Sequence, residues 1–244
     1  ERRSSTATRL SQRLVLSLGM CDGLLHGDDI STESLDISGA FLQGLDYKEL
    51  QAQARDLGYE SRVERRVFVV PPENVWQHFR RMTGAPEDLK IMDCDRALVV
   101  LQSLRAMYGF ADAPLMFQLA LLAYLVQHCE AQVCLFDSNY LYWLGKYDGK
   151  WCLILVLTAH VDDLQVTGSK KMRDWIHGML EARFGKLKRQ VMPYTHAGIQ
   201  LEKVNADCLR LHQDEFCSKL RTCEIGKHRV EKQDDPLDAE ETTT

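Results

Sequence analysis

Leu153-Ile154-Leu155-Val156-Leu157-Thr158-Ala159-His160-Val161-Asp162-Asp163-Leu164-Gln165-Val166-Thr167-Gly168 is the stretch on which the fold turns. Two apolar, β-prone runs flank a pair of adjacent acids, which predicts a hairpin with Asp162 and Asp163 at its tip. Adjacent carboxylates repel, and hydrophobic flanks make it harder to keep both ionised. A solvated turn relieves that strain, because Asp suits turn positions. A divalent cation relieves it too: magnesium takes oxygen ligands, keeps several waters and leaves room for substrate phosphates. Two acids from such a hairpin and one from another strand are the donor set for two-metal phosphoryl or nucleotidyl transfer.

Working outward, the third acid is Asp36, in Leu35-Asp36-Ile37-Ser38-Gly39-Ala40-Phe41. Residues 34–38 read as a short strand leading into a turn and helix start at 39–42, where an Asp also serves as a cap or turn residue. Upstream, Leu10, Leu14, Val15 and Leu18 recur at helical spacing, so residues 5–27 are expected to be helical up to the turn at Gly27-Asp28-Asp29. Residues 50–57 and 75–82 are short helix candidates. Residues 65–70 read as a strand stopped by Pro71-Pro72, and 97–108 are helical in composition. Ala113-Pro114 opens a long helix to about residue 127, with Pro in the first turn. A strand at 139–143, an amphipathic helix at 172–184, a strand pair at 197–202 and 208–211 bending at 205–207, and a helix at 214–220 complete the order. There is no internal repeat. The fold class this predicts is α+β with a mainly antiparallel sheet.

A chain of 244 residues with net charge −5 carries no overall basic signal, so any affinity for nucleic acid must come from a local groove or from metal that offsets clustered acids. The eight cysteines are scattered with no Cys-x-x-Cys pair, which argues against a zinc ribbon and for reduced thiols in an intracellular protein. No secretion signal is visible. The longest apolar runs, 119–126 and 151–157, are too short to span a bilayer, so no membrane partner is expected. Opening on Glu1 rather than Met is expected of a fragment or of a segment cut from a longer polyprotein.

Taken together, the strings resemble the copia-type retrotransposon reverse transcriptases. The first catalytic pattern of that family, Asp-x-x-x-Ala-Phe-Leu-x-Gly, is met in full by Asp36-Ile37-Ser38-Gly39-Ala40-Phe41-Leu42-Gln43-Gly44. Its Ser-Leu-Tyr-Gly-Leu-Lys-Gln-Ala-Pro landmark is similar to the stretch from Ser103-Leu104 through Tyr108-Gly109-Phe110-Ala111-Asp112-Ala113-Pro114. Cys134-Leu135-Phe136 follows, and the Tyr-Val-Asp-Asp-Leu-x-x-x-Gly string is present from His160 to Gly168. Farther on, Phe184-Gly185-Lys186-Leu187, Ala197-Gly198-Ile199 and Leu211-His212-Gln213 resemble later landmarks, so the likeness spans about 7–220.

The resemblance implies a reverse transcriptase palm over residues 1–230. This would be a ferredoxin-like antiparallel sheet backed by helices, with partial fingers, the start of a thumb or connection, and a variable insert at about 45–95. The acidic tail at 231–244 is expected to be disordered. Asp36, Asp162 and Asp163 would bind two Mg2+ ions. Phe41 would lie under the sugar of an incoming dNTP and exclude a ribose hydroxyl. Tyr108, Gly109, Asp112 and Pro114 would line the nucleotide and template side, His160 would support the primer end, and Lys186 or Lys188 would meet the leaving pyrophosphate. The implied partners are an RNA/DNA template-primer, dNTPs, and the integrase and RNase H domains of the same polyprotein, in a cytoplasmic particle or the nucleus.

The chain departs from the pattern where the usual Tyr is His160, the usual Lys-Gln is Ala111-Asp112 and the usual Arg is Leu115. Asp112 thereby adds negative charge on the expected triphosphate path. Three functions compete: an RNA-directed DNA polymerase palm, a decayed or repurposed nucleic-acid-binding module without catalysis, and a small α+β binding or scaffolding domain.

Overall fold

A computed structural model of the chain describes residues 6–21, 23–56, 66–70, 100–205 and 208–220. In chain order the elements are α1 (Arg9–Leu18), β1 (Ser31–Ile37), a 3-10 turn (Ala40–Gln43), α2 (Tyr47–Asp56), β2 (Val67–Val69) and β3 (Leu101–Ser103). Then come α3 (Ala113–Cys129), β4 (Gln132–Val133), β5 (Tyr140–Tyr147), β6 (Lys150–His160), β7 (Asp163–Gly168) and α4 (Lys170–Phe184). The series ends with β8 (Leu187–Val191), β9 (Tyr194–His196), β10 (Ile199–Asn205), β11 (Cys208–His212) and α5 (Asp214–Lys219). The chain is α+β, as its periodicities predict.

The main sheet has six strands in the order β4-β5-β6-β7-β1-β8, with every neighbouring pair antiparallel. Strand alternation decides what each face meets. Leu35 and Ile37 of β1, Leu155, Leu157 and Ala159 of β6, Leu164 and Val166 of β7, and Leu187 of β8 point to one side. There they share a core with Phe117, Leu121 and Leu125 of α3 and with Ile176, Leu180 and Phe184 of α4. Both helical sets recur at intervals of four, so each helix lays a single stripe on the sheet. Both helices that the sequence predicts, to about residue 127 and at 172–184, are present, and they back the hairpin. α4 starts where the Ser169 hydroxyl accepts the Met172 N–H at 3.4 Å, and it stops at Gly185, which has φ 78°.

The opposite face is polar yet buried. Thr32 and Thr167 hydrogen-bond across β1 and β7 at 2.6 Å, and the Thr167 hydroxyl also donates to the Val15 carbonyl at 3.0 Å. Through Val15 and Leu18, α1 packs on Val156. The small sheet β11-β10-β9 covers the rest, with Tyr194 and Leu201 closing on Leu16.

Two expectations are corrected. The first helix ends at Leu18 rather than near residue 27, because the chain must pass against β1: a Cβ at Gly19 would collide with the Thr32 hydroxyl. Residues 100–108 are not helical. Leu101–Ser103 pairs with Val67–Val69 as an antiparallel ribbon, and strand pairing overrides the helical composition. The candidate helix at 75–82 and the tail at 231–244 lie outside the described residues. Among the described residues no helix is long and apolar enough to cross a membrane.

Asp137, in the β4–β5 connection, ties α1 to the sheet. Its carboxylate accepts from the Thr8 amide at 2.8 Å, the Ser11 hydroxyl at 2.5 Å and the Asn139 amide at 2.9 Å. Burial works against the charge, but the bonds from Ser11, Thr8 and Asn139 outweigh it and hold the carboxyl below its ordinary value. A depressed folded-state value means stability that is present above the ordinary carboxylate range and is lost as pH falls through the folded value. Asp137→Asn should therefore destabilise the protein at neutral pH by about 1–3 kcal/mol and flatten the acid limb of its stability curve, measured by urea unfolding against pH. An acid limb as steep as wild type would show that other carboxylates set it.

Candidate active site

The hairpin turn is built from strain. β6 ends at His160 and β7 begins at Asp163; these two residues pair, leaving Val161 and Asp162 as the connection. Val161 has φ 61°, a left-handed backbone that a β-branched residue adopts only at a cost of roughly 1–2 kcal/mol. Positive φ at the first central position alone is the mark of a type II′ turn, where glycine is the usual residue. Strained backbone of this kind concentrates at functional sites, where the surrounding structure holds it.

β1 lies alongside β7 with Asp36 directly opposite Asp163, and the Ile37 amide donates to the Asp162 carbonyl at 3.4 Å. Directly paired residues in an antiparallel ladder have Cα atoms about 4.5–5.5 Å apart and side chains on one face. All three acids are half-buried. The Asp163 carboxyl is pushed above its ordinary value first by burial, then by the charges of Asp162 and Asp36; the Ala197 amide, which donates to it, and His160 act the other way. On its other side Asp36 pairs with Lys188 of β8. Asp36, Asp163, Lys188, Ser34 and Tyr194 line an open cleft of about 600 Å³.

The donor set suits a hard divalent cation: oxygens only, on adjoining strand ends, with a mutual repulsion that a cation would relieve. Among the described residues, no three His, Cys, Asp or Glu side chains stand as a closed ligand group. What converges is the backbone register and the charge.

Of the remaining sequence-predicted residues, Phe41, Tyr108, Gly109, Asp112 and Pro114 gather at the start of α3, and His160, Lys186 and Lys188 lie elsewhere. Phe41, on the 3-10 turn, has its ring 5.1 Å from that of Tyr108, which is largely exposed. Gly109 takes φ 89°, turning the chain into α3, whose first turn holds Pro114. The 3-10 turn packs on α3, and Gly44 explains itself there: a Cβ would stand 3.0 Å from the Met116 and Phe117 backbone. Asp112, expected on a triphosphate path, is only 4% exposed at the N-terminus of α3, where the helix dipole favours a carboxylate. His160 is half-buried and meets Gln12 through Nδ1 at 3.3 Å. Lys186 sits exposed in the link between α4 and β8, while Lys188 is the lysine in register with the acids. Neither that register nor the Ala197 amide has a signal in the sequence.

No family model matches the chain, and a search of curated proteins finds none similar to it.

Proposed function

We propose that the chain is the palm of a copia-type reverse transcriptase, an RNA-directed DNA polymerase that extends a primer by two-metal nucleotidyl transfer. The observation that carries this is the pairing of Asp36 with Asp163, with Asp162 at the strained turn between the hairpin arms. The order of family landmarks from Asp36 to Gly168 supports it.

In this account Asp36, Asp162 and Asp163 hold two Mg2+ ions. When bound, these neutralise triphosphate charge and lower the barrier to attack by the primer hydroxyl. The Phe41 and Tyr108 rings form the wall against the dNTP sugar. Lys188, beside Asp36, supplies positive charge for the leaving pyrophosphate, in preference to Lys186. His160 supports the primer end. The implied partners are the template-primer and the integrase and RNase H domains of one polyprotein.

The test is primer extension on an RNA template with purified chain. Incorporation that requires magnesium and disappears in Asp162→Asn is expected. Template-primer binding with no incorporation under any divalent metal would instead favour a repurposed nucleic-acid-binding module. Asp112 and Leu115, in place of the family's usual Gln and Arg, favour that second reading.

The lysines give a finer test. Lys188→Ala should slow incorporation about tenfold, ~1.4 kcal/mol of transition-state stabilisation, and Lys186→Ala should leave it nearly unchanged. Single-turnover rates showing the reverse order would remove Lys188 from the site.

A further inference from the structure

A second cavity, of about 820 Å³, lies between α1, the small sheet β9–β11 and the polar face of the main sheet. Its size is that of a small-molecule site. Three features give it a chemistry. The first is charge: Arg9 and Arg13 line it from α1, four residues apart and so on one helix face, and neither makes an ion pair among the described residues. No carboxylate among the described residues lines it, in a chain whose net charge is −5.

The second is a pair of buried polar atoms without a protein partner among the described residues. Gln165 is 1% exposed; its amide nitrogen donates to the Tyr194 hydroxyl at 3.3 Å, which leaves Oε1 as an unused acceptor. His196 is 4% exposed; its Nδ1 meets the Ser34 hydroxyl at 3.3 Å, and Nε2 has no partner. Burial, and then the nearby His160 charge, lower the His196 value to about 4, so the ring is neutral at pH 7. The Ser34 hydroxyl can donate to Nδ1, and in that tautomer Nε2 carries the proton. The two groups are neighbours, because Ser34 is the register partner of Gln165. The third feature is the apolar wall of Leu16, Ile199 and Leu201 at the same cavity.

We propose that this cavity binds a small organic oxyanion whose other end carries an amide-like edge. The anion meets the arginine pair, whose planar forks suit carboxylate or phosphate. The carbonyl of the edge accepts from His196 Nε2, its N–H donates to Gln165 Oε1, and a flat ring between the two ends lies on the apolar wall. Leaving a buried donor and acceptor unmatched is unfavourable, so the edge supplies selectivity while the arginines supply attraction. The site adjoins the carboxylate cleft, since His160 lines it while Ser34 and Tyr194 line the cleft, but the inference stands whether or not the chain polymerises.

Titration calorimetry and amide NMR with four probes test this. Orotate and uridine 5′-monophosphate carry both features, with a carboxylate and a phosphate respectively; uridine has only the edge and benzoate only the anion. Saturable binding of orotate, the monophosphate or both is expected, at least tenfold tighter than uridine or benzoate, with amide shifts centred on β9 and β10. Which one binds identifies the anion. Replacing both exposed arginines (Arg9→Ala with Arg13→Ala) should weaken the anionic probes about tenfold and leave uridine unchanged. Gln165→Leu, checked for an intact thermal transition, should remove the advantage over benzoate. The proposal is overturned by absence of saturable binding, by binding indifferent to the arginine pair, by equal affinity for benzoate, or by shifts confined to Asp36 and Lys188.

Discussion

Asp163→Asn is expected to reduce magnesium-dependent incorporation by about 10³-fold, ~4 kcal/mol in the barrier, while leaving the metal-free protein at least as stable as wild type. The two effects have opposite signs for one reason. Asp163 faces Asp36 across the ladder, follows Asp162 in the chain and is partly desolvated, so its charge is opposed by its surroundings. Neutralising it removes that repulsion and retains the amide geometry, including an oxygen to accept from Ala197. The same change takes a ligand from the centre on which the chemistry depends. Loss of stability together with loss of activity would mean that the carboxylate is structural; retained activity would remove it from the catalytic set.

Arg173→Met is expected to destabilise the protein by about 3–5 kcal/mol, because it breaks a buried ion pair and takes the donor from two backbone carbonyls. Glu33 is 3% exposed and Arg173 5% exposed, and their Oε1 and Nε atoms are 2.9 Å apart. Arg173 also donates from Nη1 to the carbonyls of Asp29 and Gly168, each at 2.9 Å, so it fastens α4 to the start of β1 and the end of β7. Arg189 of β8 reaches the same carboxylate at 2.7 Å and continues to Asp174 at 2.7 Å. Those carboxylates raise the Arg189 guanidinium above its ordinary range, Glu33 foremost, against the opposing effect of burial. Removing Arg173 leaves Glu33 with one cation that is itself 29% exposed. Denaturant unfolding of Arg173→Met, Glu33→Met and the double variant tests this: the double should be more stable than Arg173→Met alone, since it does not leave a buried carboxylate with half of its cations. Additive losses, or a loss under about 1 kcal/mol for Arg173→Met, would mean that the ions do not depend on each other.

The hairpin, the third acid and the two backing helices were legible because each announces itself locally, through an apolar run, a turn or a stripe. β8 was not legible. In Leu187-Lys188-Arg189-Gln190-Val191 no apolar run marks a strand, yet Arg189 turns inward to Glu33 and Lys188 faces Asp36, so partners from distant strands decide the burial. The same holds for Glu33 and Arg173, two charges whose burial nothing in their local sequence marks. Residues 100–108 misled in the other direction: among the described residues Leu101–Ser103 pairs as strand with Val67–Val69, a contact invisible within a local window. Asp112, expected on a triphosphate path, is instead buried at the start of α3.

Thermal unfolding with and without magnesium, wild type beside Asp163→Asn, tests the central claim that Asp36, Asp162 and Asp163 form one carboxylate cluster that a divalent cation completes. A ligand that binds only the folded state at a hundred times its dissociation constant stabilises by about 2.7 kcal/mol. The account predicts that magnesium raises the wild-type midpoint, and that Asp163→Asn unfolds at or above the metal-free wild-type midpoint and no longer responds to the metal. A wild type indifferent to magnesium, or a variant that responds as strongly as wild type, would contradict it.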